Sequence, residues 1–148
     1  MVDLPEGKNV FPCKWVFDIK TDAVGNIIRR KARLVARGDK QQYGVDFQET
    51  YTPVAKFASL KVLLSLAARL DLEIDQDDFD FAFINGTLEE EIYMSQLEGF
   101  TKDKSKVFRL RRSIYGLCQA ARTWYNTLDV LFRSFGFTRV KADYGVWV

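Results

Sequence analysis

From Cys13 to Lys20 polar and apolar residues alternate in a run rich in β-formers, and a second such run, Ile27 to Ala36, follows the segment Thr21-Asp22-Ala23-Val24-Gly25-Asn26. Two period-two runs flanking turn chemistry predict a β-hairpin. Its many Lys and Arg residues make it a basic one. At Ser59, a suitable N-cap, the period lengthens: Leu60, Leu63, Leu64 and Ala67 keep the 3, 4, 7 spacing of a buried helical face, so a helix to about Leu70 is expected, packed on a sheet. Glu73 to Phe79 reads as a strand, Asn85-Gly86 as a turn, and Ile92-Tyr93-Met94 and Val107-Phe108-Arg109-Leu110 as further short strands. A second helix is predicted from Ala121 to Phe135, with Trp124, Leu128, Leu131, Phe132 and Phe135 as core on one side and Gly136 as its stop. Helices and strands intermixed in this way give an α+β class, a mixed or antiparallel sheet packed by two main helices.

Composition narrows the function classes. At 148 residues, with no repeat, low-complexity tract or Pro/Gly-rich linker, the chain reads as one domain. Its 47% hydrophobic content excludes disorder. No apolar run approaches the roughly 20 residues of a helical membrane span, which predicts a soluble chain with no membrane partner. The absence of histidine excludes His-based triads, His general bases and His-containing zinc sites, and two cysteines are too few for an all-cysteine zinc site. Any metal must rest mainly on carboxylates. Cys13 and Cys118 stand far apart with no signal peptide before them, so reduced thiols in an intracellular protein, cytoplasmic or nuclear, are expected.

The net charge of +2 conceals a segregation: residues 1–60 sum to +3, residues 61–100 to −8 and residues 101–148 to +7. An acidic middle between basic flanks suits an enzyme that holds cations on carboxylates and phosphates on Lys and Arg. Ordinary solvated faces give the same counts.

Asp71, Glu73, Asp75, Asp77, Asp78 and Asp80 form the densest acidic cluster. Two like charges about 4 Å apart repel by roughly 4 kcal/mol at an effective dielectric of about 20, so these side chains must diverge or share a cation. A twelve-residue calcium loop starting at Asp71 places Gln76 and Ala82 at its obligatory positions, and one starting at Asp75 places Asp80 and Gly86 there. Both registers fail. On a strand Asp78 and Asp80 share one face, and Asp75, Asp77 and Phe79 the other. A carboxylate at a strand end with Phe83 five residues on can hold a divalent ion before a bulky wall; a solvated acidic edge is the plainer alternative. The segment from Ser113 to Arg122 combines a turn, Gly116 and a helix start, an arrangement able to receive phosphate or base edges, or simply a loop-to-helix junction.

These residues in this order resemble the reverse transcriptase region of copia-type retrotransposon polyproteins, nearly end to end. The resemblance rests on Gly7-Lys8-Asn9-Val10, Cys13-Lys14-Trp15-Val16-Phe17, Lys31 to Gly38, Gly44-Val45-Asp46-Phe47 and Glu49 to Val54. It continues through Ala82-Phe83-Ile84-Asn85-Gly86, Leu88 to Met94, Glu98-Gly99-Phe100, Tyr115-Gly116-Leu117 and Gln119-Ala120. It implies a partial fingers-and-palm polymerase fold over residues 1–148, about 1–60 fingers-like and about 61–148 palm-like with further fingers segments. It also implies RNA-directed DNA polymerase chemistry with two magnesium ions assisting attack of a primer 3′-hydroxyl on a nucleoside triphosphate. By motif Asp78 resembles the first metal ligand, helped by the Phe79 backbone carbonyl, and Phe83 the steric gate against a ribose 2′-hydroxyl. Lys31 and Arg33 resemble triphosphate contacts, and Tyr115, Gly116 and Gln119 the motif lining the nucleotide and template site. Implied partners are an RNA or DNA template-primer, a dNTP and the remainder of the polyprotein.

The Tyr-x-Asp-Asp element of the family is absent from the chain, so the magnesium site is expected to be incomplete, the chain truncated at both ends and inactive alone. Asp77 stands where the family has Met, Asp80 where it has Lys, Cys118 where it has Lys and Ala121 where it has Pro. If the strand forms, Asp77 takes a core-facing position, which costs an unpaired carboxylate several kcal/mol. A polymerase fragment, a non-catalytic nucleic-acid-binding remnant and the product of a degenerate element without retained function are the three readings these residues leave open.

Overall fold

A computed structural model describes residues 1–101 and 103–148. Four strands form one mixed sheet: Val2–Asp3 (β1), Val10–Phe11 (β2), Thr87–Met94 (β5) and Lys106–Arg112 (β6), in the order β1-β6-β5-β2. Strand β6 runs antiparallel to β5 and β1, with Ile92 opposite Leu110, while β2 lies parallel to β5 with Val10 opposite Tyr93. Between β2 and β5 along the chain, Cys13–Thr21 (β3) and Ile27–Ala36 (β4) pair with each other as the anticipated antiparallel hairpin. Asp22 closes its turn by accepting hydrogen bonds from the Val24 and Asn26 amides at 2.9 and 2.8 Å.

The core gathers Phe11, Ala36, Leu88, Ile92, Met94, Leu117 and Ala120, with Phe83, Phe108 and Ile114 packed against it. It therefore joins the end of β4, the centre of β5 and the start of helix α3 (Ala120–Ser134). The anticipated glycine stop holds: Gly136 takes φ +92 and donates to the Arg133 carbonyl, and the Phe137 amide donates to the Phe132 carbonyl. Beyond it Arg139–Val140 (β7) and Asp143–Trp147 (β8) make a small hairpin. No helix among the described residues is long and apolar enough to cross a membrane.

Five expectations need correction. Helix α1 spans Phe57–Leu70, so Ser59 lies inside its first turn and Lys56 is the N-cap. Only Ala67 of its apolar face is buried; Leu60, Leu63 and Leu64 are 45–46% exposed, and Ala58, Val62 and Leu63 line a groove with Val140, Val146 and Val148. The stretch from Glu73 to Phe79 forms no strand and is exposed throughout. Its alternation finds no ladder partner among the described residues, so Asp77 bears no burial cost. On α3, Leu131 and Phe135 are exposed while Trp124, Leu128 and Phe132 are half-buried. Asn85 ends a short helix, Ala82–Asn85 (α2), and Gly86 leads directly into β5.

Candidate functional site

Strand register divides the hairpin into two faces. Lys14 opposite Val35, Val16 opposite Arg33, Asp18 opposite Lys31 and Lys20 opposite Arg29 place five cations and one acid on one side. Lys20 above all, with burial and the Arg29 and Arg33 charges, pushes the Lys31 ammonium below its ordinary range, while Asp18 opposes the shift. Such crowding favours an anion that neutralises it. Arg33 approaches the Asp18 carboxylate only at 3.9 Å, an exposed pair worth little.

Arg33 also reaches across the fold. Its guanidinium lies 6.0 Å from the centroid of the Tyr115 ring, and that ring meets Phe83 edge to face at 4.6 Å. Three candidates from distant segments are thereby in contact. Gly116 makes the approach possible: its φ is +92, and a Cβ there would collide with the Ala36 carbonyl and the Val35 side chain. The Ala36 amide donates to the Tyr115 carbonyl at 2.9 Å, so the end of β4 and this turn are bonded backbone to backbone.

Gln119 is placed differently from a ligand-facing side chain. It is 2% exposed; its Nε2 donates to the Asp46 carbonyl at 3.2 Å and its Oε1 accepts from Gln41 Nε2 at 3.0 Å. Gln41 Oε1 in turn accepts from the Cys118 amide at 2.8 Å, and the Cys118 thiol, pushed up by burial, donates to the Gly38 carbonyl at 3.3 Å. Asp46 accepts from the Gln42 amide at 2.7 Å. Neither Gln41 nor Asp46 has a role among the site residues that the sequence suggests. The Gly44-Val45-Asp46 turn chemistry signals Asp46, whereas nothing local signals Gln41.

Asp78 and Phe79 stand apart from this cluster. Asp78 is exposed, with no hydrogen bond or ion pair among the described residues, and the Phe79 ring meets Trp124 of α3 at 5.2 Å. No three Asp, Glu or Cys side chains converge to hold a metal among the described residues. The residues present therefore do not make up the two-ion magnesium site that the resemblance implies.

The family described as reverse transcriptase (RNA-dependent DNA polymerase) matches residues 1–148. The chain belongs to the reverse transcriptase family. It is 47% identical over 145 residues to the retrovirus-related Pol polyprotein from transposon TNT 1-94 of Nicotiana tabacum, covering 97% of this chain and 11% of that protein. To the corresponding polyproteins from transposons RE2 and RE1 of Arabidopsis thaliana it is 41% and 39% identical over 146 residues, 97% of this chain and 10% of each. This reverse transcriptase region thus spans about a tenth of the curated relatives it matches. No solved structure matches it. Within the family's frame Phe83, Tyr115, Gly116 and Arg33 form one contact set, with Lys31 two residues from Arg33 on the same hairpin face.

Proposed function

We propose that this reverse transcriptase region is the nucleotide-facing part of an RNA-directed DNA polymerase, which binds template-primer and dNTP but does not polymerise by itself. The observation that carries the reading is the contact series from Arg33 through Tyr115 to Phe83, which sets a basic hairpin face beside an aromatic wall. Lys31 and Arg33 take the triphosphate, since crowded cations gain most from a polyanion. Phe83, held by Tyr115, offers a rigid ring that excludes a ribose 2′-hydroxyl by shape. Tyr115 and Gly116 line the nucleotide and template side, and Gln119 keeps that segment in place from beneath. Asp78, with the Phe79 carbonyl, is the part of a metal site that this chain contributes without completing. Residues of about 1–60 then act as fingers and those of about 61–148 as palm with further fingers segments.

A non-catalytic nucleic-acid-binding role is favoured as the second reading by the isolation of Asp78. Two assays on the purified chain test the pair. Primer extension with magnesium gives no product, and a labelled primer-template binds at low salt, more weakly after Lys31→Ala or Arg33→Ala. Templated synthesis would refute the inactivity, and failure to bind would remove both readings in favour of a product without retained function.

A further inference from the structure

Phe83 sits on a helix too short to hold itself. Ala82–Asn85 makes a single turn, which has almost no stability of its own in water. Its N-terminus lacks a side-chain cap, and Phe81 before it takes φ +53, a left-handed conformation that strains an aromatic residue. The direction of the Phe83 ring is therefore decided at the other end of the turn.

That end is fixed where β6 runs out. The Arg112 guanidinium donates to the Asn85 carbonyl at 2.8 Å, and the Ser113 amide donates to the Gly86 carbonyl at 2.9 Å. The end of a helix leaves such carbonyls without an internal partner. Ser113 is fully buried, so water does not compete for its bond, and a Cβ on Gly86 would stand 2.8 Å from the Thr123 side chain of α3. Gly86 is thus held by backbone and close packing, whereas Asn85 is exposed and its carbonyl is held by Arg112. Arg109, three residues earlier on the same strand, pairs with Glu91 at 2.8 Å, so position and not charge assigns the carbonyl to Arg112. Three residues beyond Arg112 stands Tyr115, whose ring meets Phe83 at 4.6 Å. A closed circuit results, guanidinium to carbonyl at one side and ring to ring at the other.

We propose that Arg112 is a positioning residue for discrimination at the ribose 2′-position: by fixing the Asn85 carbonyl it aims the Phe83 ring, without touching the nucleotide. The proposal rests on the reading of Phe83 as the wall that excludes a 2′-hydroxyl. Without the bond the Asn85 carbonyl turns to water, the turn rocks between Phe81 and Gly86, and the ring yields space to the extra oxygen. The effect is selective, because a deoxynucleotide does not press on the wall and a ribonucleotide does.

The test measures competition by dUTP and UTP, which differ only in the 2′-oxygen, against a fluorescent deoxynucleotide bound to the full chain with primer-template and magnesium. The unaltered chain prefers dUTP, and Phe83→Ala removes the preference. Arg112→Met keeps the stem and loses the donor; it is expected to lower the ratio of dUTP to UTP affinity roughly fivefold by tightening UTP. Arg112→Lys retains a donor and restores most of the ratio. Adding Arg112→Met to Phe83→Ala changes the ratio no further, since no ring is left to aim. Equal weakening of dUTP and UTP by Arg112→Met overturns the proposal, assigning the guanidinium to phosphate or to general support. An unchanged ratio in Arg112→Met while Phe83→Ala is effective overturns it too, and leaves the reading of Phe83 intact. Absence of nucleotide binding or of any preference in the unaltered chain, or a preference that survives Phe83→Ala, overturns that reading and the proposal together.

Discussion

The Phe83 ring meets the Tyr115 ring edge to face with centroids 4.6 Å apart, joining the short helix before β5 to the turn before α3. Both rings retain exposed surface, so the contact is a platform wall and not part of the sealed core. A double-mutant cycle with Phe83→Ala and Tyr115→Ala is predicted to give a coupling of about 1 kcal/mol in urea unfolding. Strict additivity would mean that the two rings do not support each other.

Gly116 is predicted to tolerate no side chain. Gly116→Ala adds a Cβ against the Ala36 carbonyl at φ +92, and the left-handed strain alone amounts to about 1–3 kcal/mol before any collision. Gly25→Ala, at φ +95 with open space around it, shares the strain but not the collision. The unfolding midpoint therefore falls further for Gly116→Ala than for Gly25→Ala.

Asp143 ties the C-terminal hairpin to the start of α1. It is 5% exposed and accepts from the Lys56 amide at 2.8 Å and the Gly145 amide at 3.0 Å. The hydrogen bond to Ser59, then those amides, holds its carboxyl below the ordinary aspartate range. A carboxylate depressed in the folded state stabilises above its unfolded pKa, and that contribution disappears as pH falls through its folded value. Thermal melts are predicted to lose several degrees on acidification below the ordinary aspartate range, and Asp143→Asn removes that part of the pH dependence.

Asp78 offers the contrasting case. It is exposed and unpartnered among the described residues, so Asp78→Asn is predicted to change unfolding free energy by less than about 0.5 kcal/mol. A larger loss would reveal a structural role and argue against a carboxylate held free for a ligand.

Legibility followed the range over which each feature is decided. The hairpin was readable because alternation and turn chemistry both lie within residues 13–36, and α3 because its apolar spacing and Gly136 are local. Leu72 and Ile74 alternate with acids as a strand would, yet a strand needs a neighbour, and six carboxylates within ten residues favour separation in water. The same dependence on distant partners hid the setting of Gln119. Its spacing matches a nucleotide-lining motif, while its burial is set by Gln41 and Asp46 from the opposite part of the chain. Arg33 is one of several basic candidates on the hairpin; register turns Arg30 to the other face, and the approach to Tyr115 distinguishes Arg33 from Arg29.

The most direct measurement is the salt dependence of primer-template binding, since each phosphate neutralised by a cation adds about 0.9 to the slope of log affinity against log salt. Lys31→Ala and Arg33→Ala are each predicted to lower that slope by about one, while Lys141→Ala, on the exposed link between β7 and β8, leaves it unchanged. An unaltered slope in both hairpin variants would contradict the assignment of the nucleic-acid contact to the Lys31 and Arg33 face.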